Sequence, residues 1–304
     1  MRPDRIITLK VVQPVHRLAS RLRVAGNGES CGQSLPILMY HSIADEPEEH
    51  VSPYYRTVTR PELFAAHLAW LRAEGYEVLG LRAALEKFKR ADSPSARLAA
   101  ITFDDGFRDF YTAALPALRR HQCGATMFLP TAFIGQERRS FKGRECMTWD
   151  EVREAQRDGI EFGSHTVNHP KLYELDLPRL RVELQDSRTV MEAELSRPVR
   201  SFAYPFAFPS ADQAFVKVFV GLLKETGYDC NVTTKIGLAG RNDDAFTLKR
   251  LPMNSADDEA LFRAKLGGAY NWLAWPQESF KKIRNLVSRR HSGLVASPSP
   301  IPGI

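Results

Sequence analysis

Cysteine is scarce in this chain: four residues, Cys31, Cys123, Cys146 and Cys230, lie far apart with no C-x-x-C pair. Two disulfides are arithmetically open, but reduced thiols are the expectation, because no secretory signal peptide is expected either. Residues 1–24 alternate basic and apolar positions without an uninterrupted apolar segment, which is not a signal-peptide pattern. No stretch reaches the apolar length needed to span a bilayer, so the expected location is cytoplasmic. There is no internal repeat, and no low-complexity tract before the Ser/Pro-rich final residues. No G-x-G-x-x-G or G-x-x-x-x-G-K follows an apolar run, which leaves nucleotide binding without support.

What is present suits a folded enzyme-sized domain. The 304 residues are 43% hydrophobic and 26% charged, enough for one large core or two modest ones. The net charge of +6 is uneven: residues 1–24 carry +5 and residues 277–292 carry +4, leaving the remainder at −3. A basic excess confined to the ends, around a mildly acidic middle, disfavours a nucleic-acid partner. The charge pattern suggests a basic N-terminal tail (1–34), a central domain (35–270) and a basic C-terminal tail (271–304).

From Leu35 onward, short β-type runs alternate with helical patterns. The runs are Leu35–Tyr40, Tyr76–Leu79, Leu98–Phe103, Ala125–Leu129, Ile160–Gly163, Arg200–Tyr204, Tyr228–Val232 and Thr247–Leu251. Thr59-Arg60-Pro61-Glu62 and Thr148-Trp149-Asp150-Glu151 read as helix-starting capping boxes. Residues 178–195 and 211–226 place apolar side chains at three- and four-residue spacing. Such alternation predicts an α/β fold with a mostly parallel sheet covered by helices. About seven to eight strands in roughly 240 residues fit a closed or partly closed (β/α) barrel, with an open doubly wound sheet as the alternative. In both architectures the chemistry sits at the C-terminal ends of the strands.

Two segments carry that chemistry. In Leu98-Ala-Ala-Ile-Thr-Phe-Asp104-Asp105-Gly106 an apolar strand runs into two adjacent carboxylates and a glycine. Two carboxylates at the mouth of an apolar sheet repel each other and resist desolvation, and a bound cation or a shared proton relieves both costs. Asp-Asp pairs recur at Asp243–Asp244 and Asp257–Asp258, but in polar surroundings that read as loop or helix start. In Ile160-Glu-Phe-Gly163-Ser164-His165-Thr-Val-Asn-His169-Pro170, a second strand end carries two of the eight histidines. Pro170 keeps His169 out of helical geometry, so the two imidazoles occupy a strand-end loop that can turn both onto one cation. One carboxylate with two neutral imidazoles leaves coordination positions open for water and substrate, the pattern of a catalytic rather than a structural metal site.

These motifs resemble those of the polysaccharide deacetylases with NodB homology, carbohydrate esterase family four. Thr102-Phe103-Asp104-Asp105-Gly106 matches the family's first motif, and His165-Thr166-Val167-Asn168-His169 matches its H-[ST]-x-x-H motif. Leu35-Pro-Ile-Leu-Met-Tyr-His41-Ser-Ile43 resembles the opening strand of many members. The likeness runs from about residue 35 to about residue 255. It implies a distorted (β/α) barrel in a single catalytic domain and a divalent metal held by Asp105, His165 and His169. Zinc comes first, with cobalt, nickel or manganese as alternatives. It further implies Asp104 as general base, the Phe206 backbone N–H as oxyanion donor, and hydrolysis of an N-acetyl group on an N-acetylated saccharide substrate.

Two departures stand out. Phe202-Ala203-Tyr204-Pro205-Phe206-Ala207 lacks the arginine and final glycine of the family's third motif, and that arginine usually orients the base. Arg250, on a late strand, is a candidate substitute, weighed evenly against a structural role. Leu251-Pro-Met-Asn254 lacks the family's acid histidine. Either Asp104 returns to the departing amine the proton it took, or His41 supplies one, although a structural, hydrogen-bonded role is the better expectation for His41.

The departures keep open a noncatalytic, metal-containing carbohydrate-binding relative. Trp272, Leu273, Trp275, Phe280, Ile283, Leu286 and Val287, flanked by basic residues, fit either a terminal helix packed on the barrel or a peripheral membrane contact through 271–290. Phe107, Tyr204 and Phe206 are candidates for a sugar platform, with core packing the default for each. The particular polysaccharide and the oligomeric state are not encoded in any of these patterns.

Overall fold

The computed structural model describes residues 2–15, 34–90 and 97–273. The eight apolar runs form eight parallel strands: β1 Ile37–Tyr40, β2 Tyr76–Leu79, β3 Arg97–Phe103, β4 Thr126–Leu129, β5 Glu161–Ser164, β6 Ser201–Ala203, β7 Cys230–Ile236 and β8 Leu248–Pro252. Seven of them close a barrel in which β1, β3, β4, β5, β6, β7 and β8 follow one another and β8 pairs back onto β1. β2 stays outside the ring. It pairs with Arg97–Ala100 of β3, while β4 pairs with Thr102 and Phe103 farther along the same strand. β3 is seven residues long, so one of its edges accommodates two short strands in succession.

Helices α2 Pro61–Ala73, α3 Leu81–Arg90, α4 Leu115–His121, α5 Trp149–Arg157, α6 Leu177–Leu195 and α7 Gln213–Thr226 connect successive strands, and α8 Glu259–Leu266 follows β8. A short helix at the start of the chain, α1, spans Pro3–Ile7. Helix starts follow local chemistry. Thr148 forms a complete capping box with Glu151, and Asp176, Asp212 and Asp258 cap α6, α7 and α8 through their side chains.

The capping box expected at Thr59 does not form. Pro61 fixes the first helical position and Arg60 becomes the N-cap, while Thr59 is drawn into an extended pairing with Ile43. The start of α3 is satisfied from elsewhere: the Glu161 carboxylate, on β5, accepts the Arg82 and Ala83 N–H groups at 2.9 and 3.1 Å.

Residues at the start of the chain dock on residues 257–272. Arg2 donates to Asp257 at 3.1 Å, Tyr270 donates to Asp4 at 2.6 Å, and Trp272 donates to Thr8 at 3.0 Å. The Asp257–Asp258 pair divides its roles. Asp258 is the helix cap, whereas Asp257 is fully buried, paired with Lys265 at 2.8 Å as well as with Arg2. The helix-start role expected of this pair therefore holds for Asp258, whereas Asp257 is buried in an ion-pair network. The amphipathic segment considered for membrane contact lies, beyond residue 273, outside the described residues. Among the described residues no helix is long and apolar enough to cross a membrane.

His67 sits beneath this network with both ring nitrogens engaged. The Tyr40 hydroxyl lies 2.9 Å from Nδ1, and Nε2 donates to the Asp257 carbonyl at 3.1 Å. Burial depresses its pKa to about 4 from the ordinary 6.5. Between those two values the unfolded chain binds a proton that the folded one does not. Stability from this residue is therefore full above pH 6.5 and is lost as pH falls toward 4, by about 3 kcal/mol. Urea unfolding of wild type and His67→Gln at pH 7 and pH 4.5 should show their stability gap narrowing at the lower pH. A gap that stays constant would contradict this.

Candidate metal-dependent active site

The carboxylates and imidazoles singled out at the sequence level for chemistry lie at or just beyond the C-terminal ends of barrel strands, whereas Arg250 lies within β8. Asp104 and Asp105 follow β3, His165 follows β5, and His41 follows β1. Parallel register brings these ends together: Tyr40 is opposite Phe103, and the Asp104 N–H donates to the Tyr40 carbonyl at 3.0 Å. The His165 N–H donates to the Leu129 carbonyl at 2.9 Å, which fixes where the histidine loop leaves the sheet. Gly106 has φ +67, and a Cβ there would fall 2.9 Å from the Ile134 side chain, so the turn after the carboxylates needs glycine twice over.

Asp105, His165 and His169 converge, with one ligand atom from each lying within 4.8 Å of the others. His165 Nδ1 donates to the Ala203 carbonyl at 2.7 Å, which leaves Nε2 as a lone-pair donor facing inward, 3.6 Å from Asp105 Oδ1. His169 Nε2 is 3.3 Å from the same oxygen. All three side chains are buried, yet Asp105 Oδ1 and His169 Nδ1 have no hydrogen-bond partner among the described residues. An orphaned carboxylate oxygen facing two imidazoles is costly unless a cation occupies the space, so the donor set fits a divalent metal. Burial depresses His165 to about 4, which keeps it neutral and able to ligate at physiological pH. Burial pushes the Asp105 carboxyl up, but the His169 contact and the charges of His41, His165 and Lys142 outweigh it and hold the group far below the usual carboxylate range.

Asp104 is held differently. Arg250 reaches from β8 and grips both its oxygens, at 2.8 and 2.7 Å, a fork-on-fork pair with a 1% exposed arginine. The same guanidinium donates to the Thr233 carbonyl at 3.0 Å and to Thr102 Oγ1 at 3.2 Å, so its direction is fixed. Burial raises the Asp104 pKa, yet Arg250, His165 and His41 together bring it below its ordinary value. His41 is half-buried; burial lowers its pKa, while the Asp105 and Asp104 carboxylates pull it back up.

The walls of the site are strained. Of the seven non-glycine residues with positive φ among the described residues, Asp105, Lys142, Thr166, His169 and Phe206 lie here. Such strain persists only where the surroundings over-determine the backbone. For the histidine loop the clamp is Glu183 on α6, whose carboxylate accepts the Val167 and Asn168 N–H groups at 2.8 and 3.0 Å and the Asn168 side chain at 2.8 Å. Phe206, at φ 58, turns its ring onto His169, 4.6 Å between centroids, and remains 45% exposed.

Of the aromatic candidates, Phe107 and Tyr204 are buried in the core, and only Phe206 faces the site. Asn254, where an acid histidine was sought, is buried and bonded to the Pro53 and Arg56 carbonyls. Lys142 and Glu183 escaped the sequence reading. Lys142 tops a hairpin of Ser140–Phe141 and Arg144–Glu145 and donates to Asp105 Oδ2 at 2.9 Å.

Comparison with known proteins agrees with this geometry. The polysaccharide deacetylase family profile matches residues 91–229, which contain both motifs. The chain is similar to the polysaccharide deacetylases. It is 29% identical over 230 residues to YxkH of Bacillus subtilis, named as a polysaccharide deacetylase, covering 76% of this chain and 75% of that one. It is 26% identical over 168 residues to poly-β-1,6-N-acetyl-D-glucosamine N-deacetylases of Staphylococcus aureus, covering 52% of this chain and spanning 57% of their length. The solved deacetylase PplD of Streptococcus pyogenes, in complex with acetate, superposes with TM-score 0.66 at 24% identity over 77% of this chain and 98% of that one, a likeness of fold. The expected barrel is met, and the likeness to polysaccharide deacetylases together with the Asp105, His165 and His169 group fits the expected metal-dependent hydrolase.

Proposed function

We propose that this chain hydrolyses the N-acetyl group of an N-acetylated saccharide, releasing acetate and leaving a free amine. The observation that carries the reading is the buried Asp105, His165 and His169 triad, with its orphaned oxygen, beside an Asp104 locked by Arg250. A divalent ion there, zinc in our reading, supplies a Lewis acid and lowers the pKa of water toward about 7.

The chain's own groups do the rest. Asp104, kept ionised by Arg250, takes a proton from the attacking water. A carboxylate has about four lone-pair sites and the guanidinium engages only two of them. The Phe206 N–H is our candidate donor to the oxyanion that forms on the acetyl carbonyl. His41, just beyond the C-terminal end of β1, is our candidate donor of the proton that the departing amine needs, with return of the proton by Asp104 as the other route. The Arg250 clamp supports catalysis over a noncatalytic sugar-binding role, because it supplies the base orientation that Ala203 cannot. We place poly-N-acetylglucosamine first among substrates, on the likeness to the Staphylococcus aureus enzymes.

Acetate release from N-acetylglucosamine oligomers should be abolished by chelation and restored by added zinc or cobalt. Activity indifferent to chelators would end the metal reading, and saccharide binding without acetate release would favour the noncatalytic one.

A further inference from the structure

Lys142 is the one cation whose ammonium touches a triad carboxylate among the described residues, and the fold builds it there. Lys142 and Gly143 form a two-residue hairpin apex with φ 51 and +78, the left-handed pair that matches the twist of the flanking strands. The hairpin is anchored on the site by Phe141, whose ring lies 4.2 Å from Phe133 and 5.1 Å from His169 between centroids. The ammonium sits 4.6 Å from the Phe141 ring and 5.7 Å from the Phe206 ring, and the side chain is 45% exposed. The two Asp105 oxygens are thus divided: Oδ2 receives Lys142, and Oδ1 faces the two imidazoles without a partner.

We propose that Lys142 is a tethered competitor that weakens the hold of Asp105 on a divalent metal and so makes the site an exchangeable one. The inference rests on the metal reading given above. An ammonium on one oxygen of a ligating carboxylate withdraws negative charge from the other. It also repels a divalent ion seated in the same pocket. Its partial exposure moderates the effect without removing it, since the carboxylate itself is buried.

The test is zinc affinity measured by competition with a chromophoric chelator, on full-length wild type, Lys142→Met and Lys142→Arg, each first shown to have an unchanged melting temperature. Lys142→Met should bind zinc roughly tenfold more tightly, the scale expected of one partly solvated charge acting on a divalent ion. Lys142→Arg, which keeps the charge, should stay close to wild type. Equal or weaker zinc binding by Lys142→Met overturns the proposal while leaving the site assignment standing. Failure of wild type to bind zinc, cobalt, nickel or manganese would sink both.

Discussion

Arg250→Met is expected to lower kcat for acetate release by about 10²- to 10³-fold and to destabilise the fold by about 3–5 kcal/mol. Both effects have one cause. Arg250 provides two charge-assisted hydrogen bonds to a carboxylate that is itself almost wholly buried. Without it, Asp104 is left as an unpaired buried charge, and its proton-accepting lone pairs are no longer aimed. Arg250→Lys restores the charge but not the planar fork, and should fall between wild type and the methionine variant. The double variant Arg250→Met, Asp104→Asn separates the two effects. It should recover much of the lost stability, because no charge is left unpaired, yet remain inactive. Metal content should be unchanged throughout, since the guanidinium touches none of the triad. Full kcat in Arg250→Met would show that the clamp is structural only.

Arg250 also illustrates where sequence reasoning reaches its limit. Its place on a late strand was readable from the Thr247–Leu251 run, but its role depends on a guanidinium crossing to a strand 146 residues away in the chain. The strands themselves were legible because each is a short apolar run with a turn signal at its end. That β2 would lie outside the ring was not legible, since exclusion depends on how β3 divides one edge between two partners. The Thr59 capping signal lost to strand pairing and to Pro61, a tertiary contact and a rigid ring overriding a local preference. Glu183 did leave a trace: a glutamate between Leu180 and Leu184 on the buried face of α6 implies a polar partner. Lys142 left less, a two-residue Lys-Gly turn whose target only the folded chain defines. Asp104, Asp105, His165 and His169 were legible because their chemistry is written locally, as charged or imidazole groups directly after apolar strands.

The division of labour among those four residues gives the largest contrast to test. Asp104→Asn should retain metal at the wild-type level, because Asp105, His165 and His169 are untouched, while kcat falls by about 10²- to 10⁴-fold through loss of the base. Added metal should not rescue it. His165→Ala should lose both metal and turnover. It removes one of the three proposed ligands and leaves the Ala203 carbonyl, which His165 engages at 2.7 Å, without its donor inside the barrel. Excess zinc should restore part of the His165→Ala activity, because Asp104 and its Arg250 clamp remain in place. Metal content after gel filtration, read beside acetate release, decides the matter. Equal metal loss in the two variants would mean that Asp104 belongs to the ligand set, and the base would then have to be sought elsewhere on the rim.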